Sequence, residues 1–215
     1  MTRPTATTPP PSRETPPRRG DRRRAKRIDD ILRVAASHLA ERGYAATSLD
    51  EIAETLDVSK ASLYHYFPSK EDLVLACLER TASSTFERLA AVAESSLPPR
   101  QHLRALIRTQ VVILVRDEPA GASLFLHDLG LPQTARDRLR AFVDHHDEIF
   151  KSIIDKGIRR GEFHVSKPPV ARLLMHGAIN FIPSWFHQSE LTPPEEFADV
   201  VADTLLQLFI DNNTP

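Results

Sequence analysis

The sequence predicts an all-α protein in two parts, a three-helix unit near the N-terminus and a larger helical domain behind it. Three observations predict this. Apolar residues recur at spacings of three and four from Asp29 almost to the C-terminus. Serines with N-cap signatures punctuate the first third, and prolines stand where the later helices should begin. No stretch reads as a strand. At 215 residues the chain can bury a real core, and 41% hydrophobic residues with a net charge of −1 is ordinary globular composition.

Residues 1–22 are expected to be a Pro-rich, basic and disordered arm. The first 17 residues hold six prolines and no large apolar side chain, so they cannot offset the entropy of ordering. RRGDRRRAKR (18–27) then leads into the first helix. Residues 1–27 carry nine Arg/Lys against two Asp/Glu, or +7, leaving 19 against 27, or −8, for the rest. A basic end on an acidic body points to a polyanionic partner at that end. The single cysteine, Cys77, excludes an intrachain disulfide and suits a reducing cytosol. No apolar run is long enough to span a membrane, and the N-terminus has no signal-like stretch, so a cytoplasmic protein without a membrane partner is expected.

The three-helix unit is placed at 23–72. Ile31, Leu32, Ala35, Ala36, Leu39 and Ala40 share one face of its first helix, and Gly43 follows as a residue free to take the left-handed cap. Ser48-Leu49-Asp50-Glu51 is a capping box opening a second helix over 49–55. Asp57 sits in the turn. Ser59 caps a short third helix, Lys60 to Tyr66, which Pro68 stops. Ser69 caps a long fourth helix. Two short helices joined by a tight turn have helix-turn-helix spacing. The third helix keeps Leu63 for the core and offers small, polar or polar-tipped residues elsewhere, as a helix entering a major groove requires.

The stretch AERGYAATSLDEIAETLDVSKASLYHYFPSKEDLV, within residues 28–75, resembles the DNA-binding domain of the TetR/AcrR family of bacterial transcriptional regulators. It departs from the usual pattern at Asp57 and Ala61, both commonly glycine. The resemblance implies a repressor that binds a palindromic operator in double-stranded DNA as a homodimer. Carried over by position, it places Lys60, Ala61 and Ser62 against bases and Thr47, Ser48, Tyr64, His65 and Lys70 against phosphates. The basic arm either reaches an adjacent minor groove or adds electrostatic affinity, the second being preferred.

Residues 73–215 are expected to form an effector-binding and dimerisation domain. Helices there carry Leu103 to Leu114, a short apolar piece near 123–129, Leu139 to Ile154, Val170 to Phe186 and Phe197 to Phe209. The last two are apolar on more than one face, which a second copy would cover. Trp185, Phe186, Phe197, Val201, Leu205 and Leu208 are the candidate dimer residues. Polar or aromatic residues within the apolar stripes are the candidate pocket for a small apolar effector. They are Phe86, Gln110, Phe125, Phe142 and His146, with Phe150, Met175, His176, Asn180 and Phe181. The segment GAINFIPSWFHQSELTPPEEFADVVADTLLQLF loosely resembles a subgroup of the family that responds to acyl-CoA. That implies an acyl-CoA effector, with Arg104, Arg108, Arg159 or Arg160 as phosphate ligands.

Two other classes compete with this reading. One is a metal-dependent helical enzyme, for which His145, His146, Asp147 and His176 are the candidate ligands. No P-loop, G-x-S-x-G or HExxH motif occurs, adjacent histidines diverge by about 100° on a helix, and no cofactor or catalysis is expected. The other is a helix-turn-helix serving protein contacts, which the basic arm disfavours.

Overall fold

The computed structural model describes residues 19–117, 119–126, 129–186 and 193–210. These residues form helices α1 (Arg19–Ala46), α2 (Leu49–Thr55), α3 (Lys60–Tyr66), α4 (Lys70–Ala93), α5 (Pro99–Val112), α6 (Pro119–Leu126), α7 (Gln133–Arg159), α8 (Pro168–Phe181) and α9 (Pro194–Leu206). A π-helical stretch, Ile113–Asp117, continues α5, and short 3-10 turns follow α8 and α9. No strand occurs among the described residues, and none of their helices is long and apolar enough to cross a membrane.

The helix starts follow from the sequence. Ser48, Ser59 and Ser69 each accept a backbone N–H from three residues on, and Glu51 reciprocates by accepting the Ser48 N–H at 3.1 Å. Each such cap contributes about 1 kcal/mol. Prolines 99, 119, 168 and 194 occupy first helical positions, where the missing N–H costs nothing.

The first helix begins earlier than its apolar pattern suggests. The arm was expected to stay irregular through Arg22, yet α1 is helical from Arg19. Residues 22–27 (RRRAKR) are good helix formers without an apolar face, so propensity extends the helix where periodicity gives no signal. The first 18 residues lie outside those described. At its far end α1 is broken at Gly43, whose φ of 75° and ψ of 175° are not helical. Asp57 carries the turn between α2 and α3 at φ 51°.

Two cores result. In the N-terminal one, Ile31, Leu32, Ala35 and Leu39 of α1 meet Ile52 of α2, Leu63 of α3 and Leu73, Val74, Cys77 and Leu78 of α4. Leu124 of α6 and Leu129, Leu131 and Ala135 complete it. The border expected between 72 and 73 therefore falls inside α4, whose first turns serve the N-terminal core. Leu63 is fully buried, and truncating it to Ala would loosen α3 at a cost of about 2–5 kcal/mol. The second core joins Leu103, Leu106 and Ile107 of α5 to Phe150 and Ile154 of α7, Met175 and Ile179 of α8, and Ala202 and Leu206 of α9.

Candidate functional site

The helix-turn-helix stands on the first core. With Leu63 anchored, α3 leaves Lys60, Ala61, Ser62, Tyr64 and His65 exposed. Lys60 is ion-paired with Asp50 of α2 at 2.6 Å, and that pair raises its already high pKa. Tyr66 packs partly on the core, under the Arg24 guanidinium at 5.7 Å from its ring. The basic first turns of α1 thus run beside the end of α3, with Arg19, Arg22, Arg23, Arg24 and Lys26 exposed.

Three residues expected at phosphates have structural employment here. Thr47 is 2% exposed, and its hydroxyl donates to the Gly43 carbonyl at 2.9 Å. Lys70 donates to the carbonyls of Tyr44 at 2.7 Å and Thr47 at 2.9 Å, satisfying carbonyls left open where α1 ends. Ser48 has its oxygen and its N–H engaged with Glu51 in the capping box. Sequence position alone does not distinguish a lysine that closes a helix end from one that faces a duplex.

A cavity of about 530 Å³ lies between α4, the end of α5, the π stretch, α6, α7 and α8. Of the ten candidates, Phe86, Gln110, Phe125, Phe142, His146, His176 and Asn180 line it. Three do not. Phe150 and Met175 are fully buried in the second core, and Phe181 is 65% exposed on the outer face of α8. All three lie on the same helices as true lining residues, and the crossing of α7 with α8 decides which stripe meets the void. The pattern did not mark Thr81, Ala82 and Thr85 of α4, Ile113 and Leu114 of the π stretch, Ala122 of α6 or Leu173 and Gly177 of α8. They read as packing residues, and only their neighbours reveal otherwise.

The cavity has an aromatic side, with Phe86 and Phe125 each 6.2 Å from Phe142. Its polar edge holds Gln110, whose Oε1 accepts from His146 Nε2 at 2.9 Å. Burial, then the neighbouring His176, pushes the His146 pKa down to about 4, so the ring is neutral at ordinary pH. Burial also lowers the pKa of His176, against the opposing effect of Asp147. Asp147 is held by Arg172 Nε at 2.6 Å. No cluster of three or more metal-ligating side chains occurs among the described residues.

The arginines expected at coenzyme A phosphates are elsewhere. Arg104 pairs with Asp203 and Asp199, and Arg108 with Asp199, across the α5–α9 contact. Arg159 and Arg160 are exposed at the C-terminal end of α7. Acidic residues of α9 supply the partners, which reading α5 by itself does not disclose.

Among the described residues of the C-terminal domain, Val143 of α7, Val170, Leu173, Leu174 and Phe181 of α8, Trp185, Val200 of α9 and Leu208 are exposed large apolar residues. Of the candidate dimer residues, Trp185 and Leu208 are among them. Phe186, Phe197, Val201 and Leu205 are partly buried against their own chain, with Phe186 4.3 Å from Phe197 ring to ring.

Comparison with known proteins agrees with this architecture. Residues 31–77 match the model of the bacterial regulatory proteins of the tetR family, and residues 96–209 match that of the tetracyclin repressor-like C-terminal domain. The HTH-type transcriptional repressor KstR2 of Rhodococcus jostii is 29% identical over 159 residues, 73% of this chain and 74% of that protein. The crystal structure of PfmR, a TetR family regulator of Thermus thermophilus, superposes with a TM-score of 0.72 at 26% identity, covering 82% of this chain and 97% of that one. AibR in complex with isovaleryl coenzyme A and operator DNA shares the fold, with a TM-score of 0.73 at 24% identity over 86% of this chain and 98% of that one. With both its helix-turn-helix and its C-terminal domain matched, this chain belongs to the TetR family of bacterial regulatory proteins.

Proposed function

We propose that the protein is an effector-responsive transcriptional repressor, acting in the bacterial cytoplasm as a homodimer on a palindromic operator. The observation that carries this reading is the exposed surface of α3, raised on a closed core with Lys60, Ala61, Ser62, Tyr64 and His65 outward. A second copy covering the apolar surface of α8 and α9 would form a four-helix bundle. Operator binding by such a dimer would require its two α3 helices to lie one DNA turn apart, about 34–36 Å. An apolar surface of this kind is a common mark of protein association.

The cavity is the candidate effector site, and two connections run from it to the helix-turn-helix. Helix α4 carries Thr81 and Phe86 in the cavity wall and Lys70 at the end of α1. Helix α6 turns Ala122 and Phe125 to the cavity and Leu124 to the N-terminal core. Just beyond, the Leu129 carbonyl accepts the Tyr44 N–H at 2.8 Å. An effector that prefers a shifted α4 or α6 moves α3 relative to its copy and weakens DNA binding, typically by 1–3 kcal/mol.

The test is selection of genomic DNA fragments by the purified protein, followed by footprinting. A palindromic site protected at moderate salt is expected. A Lys60→Ala/Tyr64→Ala variant should fold and dimerise yet lose that site. Indifference of the native protein to all DNA at low ionic strength would overturn the reading.

A further inference from the structure

Lys60, the first residue of α3, does not stand free. Its ammonium reaches back across the cleft between α3 and α2 and donates to Asp50 Oδ2 at 2.6 Å. Asp50, Glu51, Glu54 and Val58 line that cleft with Lys60. Asp50 belongs to the first turn of α2, whose start is fixed by the Ser48–Glu51 capping box. Ile52, Ala53 and Leu63 join the two helices in one core, and the Val58 N–H donates to the Ala53 carbonyl at 3.0 Å. The Asp50 carboxylate therefore keeps its place relative to the N-terminus of α3. The other carboxylates of the cleft play different parts. Glu51 is taken by the cap and by Arg42 at 3.6 Å, and Glu54 acts on Lys60 by charge alone.

The pairing changes what the lysine can do at a duplex. A free lysine on an exposed helix is a flexible point charge that any phosphate attracts, whatever the sequence. Lys60 and Asp50 together are neutral, so the pair gains little from the backbone of random DNA. The ammonium has three N–H donors and Asp50 accepts one, which leaves two for base acceptors such as guanine O6 and N7. The tether also restricts where those donors point. Lys60 stands at the N-terminal end of α3, the part of a recognition helix that reaches base edges.

We propose that Asp50 is a specificity-determining residue of the DNA-binding surface, which positions the Lys60 ammonium for a base edge and withholds it from phosphates. Asp50 acts through Lys60, as a positioning residue. The proposal rests on the reading of α3 as the helix that enters the major groove, with Lys60 against bases.

The test measures affinity of the full-length protein for its selected operator and for a random-sequence duplex of equal length, across a salt series. Asp50→Asn keeps the shape of the side chain and suits the start of a helix. It should steepen the salt slope for random DNA by about one, as the freed lysine gains a phosphate. Affinity for random DNA should rise more than affinity for the operator, so that their ratio falls about three- to fivefold. Glu54→Gln removes an equal charge from the same helix without touching Lys60 and should leave the ratio unchanged. In a Lys60→Met background, Asp50→Asn should no longer change the ratio. An unchanged ratio in Asp50→Asn overturns the proposal. So does an equal fall in Glu54→Gln, or a fall that persists in the Lys60→Met background, and these outcomes leave α3 as the DNA-reading helix. If Lys60→Met alone binds the operator as tightly as the native protein, the proposal and the placement of Lys60 against bases fall together.

Discussion

The Lys70 ammonium sits 4.1 Å from the centre of the Tyr44 ring and donates to the Tyr44 carbonyl, so one side chain ties the start of α4 to the end of α1. Lys70→Met keeps the stem and removes the tie. Charge-assisted hydrogen bonds contribute about 1.5–3 kcal/mol, so the thermal midpoint should fall by roughly 4–8 °C. The salt dependence of operator binding should not change, because Lys70 points to its own backbone. A slope lower by about one in log–log terms would instead identify a lost phosphate contact.

Tyr64 behaves in the opposite way. It is 46% exposed, so Tyr64→Ala should leave the thermal midpoint within about 1–2 °C of the native value and weaken operator binding by about tenfold or more. Unchanged affinity in a gel-shift titration would remove Tyr64 from the interface.

Acid should destabilise the cavity through His146. Above about pH 6.5 the ring is neutral in both folded and unfolded chains. As pH falls from there, the unfolded chain takes up a proton that the folded chain refuses until its pKa of about 4. Stability is therefore lost between these two values and levels off below them, by at most about 3 kcal/mol from this group. Urea midpoints at pH 7, 6 and 5 should converge for native protein and His146→Gln at the high end. The native protein should fall more steeply toward the low end.

Gly43→Ala should cost about 1–2 kcal/mol, because φ of 75° disfavours any side chain. The new methyl carbon would also stand 3.4 Å from the Leu129 carbonyl oxygen, on the contact between α1 and the segment after α6. A lower thermal midpoint is expected, together with a changed ratio of operator affinities with and without effector.

Cys77 is buried and its pKa is pushed up to about 12 by desolvation. The folded protein should resist a thiol reagent such as dithionitrobenzoate at pH 8, and the protein in guanidinium should react with one equivalent. Rapid labelling of the folded chain would show that the N-terminal core opens.

The parts legible in the sequence were those with local chemical signatures. The caps at Ser48, Ser59 and Ser69 and the helix-starting prolines declare themselves within four residues, and the structure places helix starts there. The cavity depends on how helices cross. Phe142 and His146 line it while Phe150, further along the same stripe of α7, is core. Thr81 sits within the apolar face of α4 and looks like packing until α6 and α7 are in place. Arg104 and Arg108 read as available cations because their acidic partners lie 99 and 91 residues away in sequence.

The opening turns of α1 bear on how the protein finds its target. Clustered guanidinium groups on the exposed first turns of a helix, set against an acidic remainder, give the molecule a strong electrical polarity despite a formal charge near zero. Approaching a duplex, such a molecule experiences a torque that presents its N-terminal end first and keeps the effector domain outward. Steering of this kind predicts an association rate with DNA that rises as ionic strength falls.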